Sequence, residues 1–271
     1  YEIASCLVGS EMCIRDSDYV YLCFDVNEET LPAAVAGLKT CGIRGFNLTM
    51  PNKNKIVELL DELSPEAQLI GAVNTVLNDN GKLIGYNTDG YGFMQSVRDA
   101  GHDITGKNIT VMGVGGASMA ICAQSALDGA ASVHIFARRT SRYWNRTQKF
   151  AENLSAKTGC QVCLFDNDDH TALRDSIAQS YLLINATSVG MVPDIDDTII
   201  KDTSLFHPEL VVADVVYEPQ ETRLLREAKA AGCQTFNGMY MLLHQGAKAF
   251  QIWTGQEMPV SVIKEKYFSV K

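Results

Sequence analysis

Lys53 and Asp89 each close a polar run at the end of a strand-like segment, and together they carry the chemistry of proton transfer at a hydroxyl group. Lys53 ends Asn47-Leu-Thr49-Met-Pro51-Asn-Lys53. Asp89 belongs to Gly85-Tyr-Asn87-Thr88-Asp89-Gly90, and Asn74-Thr75 lies between the two runs. Strand ends that meet at a cleft are where α/β proteins place reactive groups. A lysine has an ordinary pKa of about 10.4, so it acts near neutral pH only if burial lowers that value or a carboxylate partner passes the proton on. A plain structural reading stands beside this one. Lys53 would be a surface residue at a helix start after Pro51, and Asp89 would cap a helix beginning at Gly90.

A second group supplies an anion cradle. Gly113-Val114-Gly115-Gly116-Ala117-Ser118 lies between an apolar strand and a helix, the context a dinucleotide fingerprint needs. Gly113 allows the tight turn, Gly115 lets the backbone approach a pyrophosphate, and Ser118 is the small residue where helix meets strand. The helix-start amides would face the anion. Glycine-rich turns also occur for structural reasons, but the strand-helix-strand context favours dinucleotide binding. An NAD site would place an acidic residue at the end of the next strand. The chain has Ala137-Arg138-Arg139-Thr140-Ser141-Arg142 there, and guanidinium groups read a 2′-phosphate by paired hydrogen bonds, so NADP is expected, with NAD second. The alternative is a solvated basic turn. A dinucleotide and a base together point to hydride transfer from an alcohol whose proton must be removed.

The elements that must position these groups fall into two α/β units. In the first, 20–26 and 43–49 read as strands, 31–39 as a helix and 55–70 as helical segments around Pro65. A hairpin joins 72–77 to 83–87 across Asn78-Asp-Asn-Gly81. A linking helix over 90–100 follows. Short apolar runs at 109–114, 132–137, 161–165, 181–186, 210–216 and 234–236 then alternate with helical stretches such as 117–130 and 143–158, the pattern of a doubly wound parallel sheet of Rossmann type. Helices at 239–253 and 261–267 close the chain. The expected division is a smaller α/β substrate-binding and catalytic domain over 1–100, a dinucleotide-binding domain over 101–237, and C-terminal helices over 238–271 packing back on the first. The string from Cys6 to Ser17 has no strand or helix period, so residues 1–17 read as atypical, a sequence artefact.

Composition narrows the partners. With 46% hydrophobic residues the 271-residue chain can bury a core, and no apolar run is long enough to span a bilayer. A net charge of −9 argues against nucleic acid or an anionic membrane as partner and leaves a small-molecule substrate. Eight scattered cysteines suit a reducing cytoplasm. Cys160-Gln-Val-Cys163 has redox or metal spacing but sits in a strand-like run without a second pair, so no metal is expected.

Seven ordered motifs then carry a resemblance. Asn47-x-Thr49-x-Pro51-x-Lys53, Gly71-Ala-Val-Asn74-Thr75, Gly85-x-Asn87-Thr88-Asp89-Gly90, the glycine turn, Asn185-Ala-Thr187-Ser188-Val-Gly190-Met191, Asp214-x-x-Tyr217-x-Pro219-x-x-Thr222-x-Leu224-Leu225 and Gly238-x-x-Met241-Leu242-x-x-Gln245-Gly246 together resemble the shikimate dehydrogenase family, nearest its quinate/shikimate branch. The resemblance implies NAD(P)-dependent interconversion of shikimate and 3-dehydroshikimate, with quinate and 3-dehydroquinate as a further pair, in a cytoplasmic monomer or homodimer serving aromatic biosynthesis. It implies that Lys53 accepts and returns the proton and that Asp89 is its carboxylate partner. Thr49, Asn74 and Gln245 would bind substrate hydroxyls, Tyr217 would lie near the substrate carboxylate and the nicotinamide, and Ser188 and Gly238 would line the cofactor. Two departures stand out. The family's Ser-x-Ser-Pro carboxylate anchor is missing from 1–17, which raises the alternative of a catalytically impaired dinucleotide-binding module. Thr140 stands where the quinate/shikimate branch often carries Asp, which favours NADP.

Overall fold

The computed structural model describes residues 19–268, so the expectation for 1–17 lies outside the described residues. The first unit opens with helix α1 (Leu31–Thr40) and strand β1 (Gly45–Asn47), followed by the short helix α2 (Asn52–Lys55), β2 (Glu62–Leu63) and α3 (Pro65–Ile70). Strands β3 (Thr75–Asp79) and β4 (Lys82–Tyr86) form the expected hairpin, turning at Asn80 and Gly81, both with positive φ. The sheet order is β1-β3-β4-β2, with β1 antiparallel to β3 and β2 parallel to β4. Leu31, Val35, Ile56, Val73, Val76 and Leu83 form its core.

Residues 20–26, expected as a strand, belong to none of the described strands, and Tyr21 and Phe24 are exposed. Two side-chain hydrogen bonds tie this segment to the first unit. The Tyr21 hydroxyl donates to Asn47 Oδ1 at 2.9 Å, and Asn52 Nδ2 donates to the Val26 carbonyl at 2.6 Å.

Helix α4 (Asp89–Asp99) leads into the second unit. Its elements are β5 (Asn108–Met112), α5 (Gly116–Leu127), β6 (Ser132–Ala137), α6 (Trp144–Thr158), β7 (Gln161–Asp166), α7 (His170–Gln179), β8 (Leu182–Asn185), β9 (Val211–Asp214), α8 (Arg223–Ala230) and β10 (Gln234–Phe236). All six strands are parallel in the order β10-β9-β8-β5-β6-β7. Helices cover both faces, so Ile109, Val111, Leu182, Leu183 and Ile184 have no accessible surface, and the strands read as apolar runs without alternation. Chain order reverses between β5 and β8, which opens a crevice at their carboxyl ends.

Helix α9 (Met239–Thr254) returns to the first unit and lies along α4. Gly92 permits this approach, because a Cβ there would meet Gln245 N and Met241 O at 2.7 Å. At its far end Trp253 Nε1 donates to the Val76 carbonyl of β3 at 2.9 Å. The last turns are α10 (Val260–Ile263) and a π-type turn (Lys264–Phe268), where a single helix was expected. No described helix is long and apolar enough to cross a membrane.

Candidate active site

The two groups singled out first do meet. Lys53 lies in α2 and Asp89 is the first residue of α4, and Lys53 Nζ donates to Asp89 Oδ2 at 2.7 Å. Side-chain exposures of 19% and 11% leave the pair shielded yet open on one side. The capping reading of Asp89 gives way: Thr88 is the N-cap, and the carboxylate is engaged by Lys53 and Asn74.

Asn74 is the hub of the cluster. Its Nδ2 donates to Asp89 Oδ1 at 2.8 Å and Thr88 Oγ1 at 2.9 Å, and lies 3.4 Å from Gln245 Oε1 of α9. Its Oδ1 accepts from the Thr88 amide at 2.9 Å, which fixes the orientation of the amide group. The end of β1 is tied to the same residue, since Leu48 N and Asn47 Nδ2 both donate to the Asn74 carbonyl. Thr49 is exposed at that strand end, beside the hub. Four elements thus converge on one carboxylate and one amine.

The second cluster is a cleft of about 490 Å³ at the switch point, lined by Gly115, Gly116, Ala117, Thr187, Ser188 and Tyr217 among others. Gly113 has φ +107°, and a Cβ there would come within 2.7 Å of Thr187 Cγ2, so the turn requires glycine. Above Gly115 and Gly116 the space where a Cβ would project is open. Gly115 caps α5 without a side-chain acceptor, which leaves the first-turn amides for an anion. These features fit a dinucleotide pyrophosphate. Ser118 is buried, and its hydroxyl donates to the Gly113 carbonyl at 2.6 Å, so its side chain pins the turn and does not enter the cleft.

Gly113 N donates to the Phe136 carbonyl at 2.8 Å, bringing the glycine turn alongside the end of β6. There Ala137 is buried, and Arg138, Arg139, Thr140 and Arg142 are exposed. Gly238 is the N-cap of α9 and lies against Val215, behind the cleft wall. Tyr217, 43% exposed, stands on that wall.

One feature went unassigned in the sequence. Asp214, with no accessible surface, accepts from Thr222 Oγ1 at 2.7 Å, Val216 N at 2.9 Å and Asn185 Nδ2 at 3.0 Å. Burial raises its pKa against these lowering contacts. It braces both loops that carry the cleft walls. Asp214 and Asn185 each open a quoted motif, but only long-range pairing joins them.

Comparison with known proteins gives the family. A family model described as the shikimate dehydrogenase substrate binding domain matches residues 9–76, and one described as the shikimate 5'-dehydrogenase C-terminal domain matches 238–266. A relative from Listeria innocua named shikimate dehydrogenase (NADP(+)) is 51% identical, covering 93% of this chain and 86% of the relative. The chain belongs to the shikimate dehydrogenase family. A quinate/shikimate dehydrogenase of Escherichia coli is 42% identical over 91% of this chain and 85% of its own. The solved structure of shikimate 5-dehydrogenase from Listeria monocytogenes with shikimate and NAD superposes with a TM-score of 0.91 at 47% identity, covering 97% of this chain and 91% of that one.

The stretch that the second family model matches holds α9 in place through a half-buried polar clamp. Asp99 at the end of α4 accepts from His244 Nε2 at 2.9 Å and from Lys264. Burial alone would raise Asp99, but Lys264, Gln95 and His244 together hold it below the usual carboxylate range. Burial likewise keeps His244 below the usual histidine value despite Asp99. Through this clamp α9 presents Gln245 to the Asn74 hub.

Proposed function

We propose that this chain is an NADP-dependent oxidoreductase that interconverts shikimate and 3-dehydroshikimate, also accepts NAD, and uses Lys53 and Asp89 to handle the proton. The convergence of Lys53, Asp89 and Asn74 carries the reading. Bound in the cleft, the nicotinamide supplies the hydride acceptor. The neutral amine of Lys53 takes the hydroxyl proton during oxidation and becomes the ammonium, and that ammonium returns the proton to the carbonyl oxygen during reduction. Asp89 stabilises the ammonium at 2.7 Å and offers its carboxylate to substrate hydroxyls. Thr49, Asn74 and Gln245 would orient the ring, and Tyr217 would lie near the substrate carboxylate and the nicotinamide. The amides of Gly116 to Ser118 hold the pyrophosphate, and the basic turn after β6 holds the 2′-phosphate.

On this reading 1–100 is the substrate domain, 101–237 the dinucleotide domain, and 238–271 the helices that fasten one to the other. Quinate, with one more ring hydroxyl, is the second substrate to test. Support comes from the E. coli relative named for both activities. The purified chain given shikimate and NADP forms NADPH, and shikimate raises its unfolding temperature by ligand linkage. Protection by NADP without either shikimate effect would instead mark a dinucleotide-binding module that performs no turnover.

A further inference from the structure

The basic turn after β6 is shaped by two aromatic rings. The Arg139 guanidinium lies over the Trp144 ring at 4.5 Å, and that of Arg142 lies over Tyr143 at 4.7 Å, with Nη2 donating to the Tyr143 hydroxyl at 2.6 Å. Trp144 is the first residue of α6 and only 9% exposed, so its ring is a fixed shelf. The turn itself is closed by Ser141 N to the Arg138 carbonyl and Trp144 N to the Ser141 carbonyl. A guanidinium stacked on an aromatic face keeps its N–H edge free for a planar, two-point contact with phosphate oxygens. Stacking also removes rotamer freedom before the ligand arrives, which lowers the entropic cost of binding.

We infer that Trp144 is a specificity-determining residue: it pre-orients Arg139 for the cofactor's 2′-phosphate and so sets the preference for NADP over NAD. Tyr143 does the same, more weakly, for Arg142, because the hydroxyl contact occupies one N–H of that fork. This inference rests on the assignment of the basic turn to the 2′-phosphate. Arg139→Lys, which keeps the charge but loses the stacked fork, is the variant least able to disturb the fold.

The test is calorimetric titration of the full chain with 2′,5′-ADP and with 5′-AMP, comparing the ratio of the two Kd values within each protein. That ratio is insensitive to any unfolded fraction. Trp144→Leu and Arg139→Lys each lower the preference for 2′,5′-ADP about three- to tenfold, whereas Trp144→Phe, which keeps a ring, stays within about twofold of wild type. If Arg139→Gln loses the preference but Trp144→Leu and Arg139→Lys retain it, the aromatic shelf has no such role. If the wild-type chain binds 5′-AMP as well as 2′,5′-ADP, the assignment of the turn falls, and this inference with it.

Discussion

Replacing Asp89 by Asn changes one oxygen for one nitrogen, and the hydrogen bonds around it determine the outcome. In the native cluster Oδ2 accepts from Lys53 and Oδ1 accepts from Asn74 Nδ2. A carboxamide must turn its NH2 toward one of these donors. Asn74 cannot invert to compensate, since its Oδ1 already accepts from the Thr88 amide and the Thr75 hydroxyl. Either orientation therefore sets donor against donor and removes the counter-charge of Lys53. Breaking a buried ion pair from one side costs about 3–5 kcal/mol. Lys53 keeps 19% of its side chain exposed and can swing toward the cleft, so the loss of stability here is smaller, about 1–3 kcal/mol. Catalysis suffers more. Proton transfer by a positioned group contributes roughly 10²–10⁴-fold, and Lys53 without its partner is no longer held at the substrate, so kcat falls at least about a hundredfold, equivalent to ~2.7 kcal/mol. Steady-state kinetics with shikimate and NADP read the rate, urea unfolding reads the stability, and the KM for NADP stays near wild type. A kcat within about threefold of wild type would show that Asp89 does not hold Lys53 for proton transfer.

Two further outcomes follow. Gly238→Ala would place a Cβ 2.0 Å from the Val215 carbonyl, a backbone atom with no rotamer to yield, so the unfolding midpoint drops by about 5 °C from a strain of roughly 1–3 kcal/mol; an unchanged midpoint in calorimetry would show that the junction of β9 and α9 is looser than described. Burial holds His102, His134 and His244 below the ordinary histidine pKa of about 6.5, so NMR titration of the folded protein finds each protonating below that value. Because the unfolded chain takes up these protons first, the stability contributed by the neutral imidazoles is present above pH ~6.5 and is lost as pH falls through their folded values; ring signals titrating above 6.5 would reverse that sign.

The parallel sheet was readable because strands buried on both faces, such as Leu182-Leu-Ile-Asn185, are nearly uniformly apolar and alternate with helices of a different period. The glycine turn was readable for the same local reason. Residues 20–26 carry strand-forming types, yet strand formation depends on a partner elsewhere in the chain, and none of the described strands pairs with them. The two-residue β2 is too short to leave a period of its own. At the site, residue types nominated Lys53, Asp89, Asn74 and Gln245, but the part Asn74 plays depends on three segments meeting at one amide. That convergence is tertiary. The same holds for Asp214, which resembles any strand-end aspartate until Asn185 and Thr222 close around it. Ser118 matched the pattern by its size, and the structure turns its hydroxyl inward to Gly113. The rings beneath Arg139 and Arg142 follow in sequence within a few residues, and their stacking depends on how the first turn of α6 is set.

On the proposed mechanism the side chain at position 53 exchanges the proton of the reacting alcohol. Its most direct test is the pre-steady-state rate of NADPH formation from shikimate by Lys53→Ala, with NADP affinity measured on the same sample. The rate falls by about 10²–10⁴-fold with cofactor affinity intact. A variant that forms NADPH as fast as wild type would contradict it.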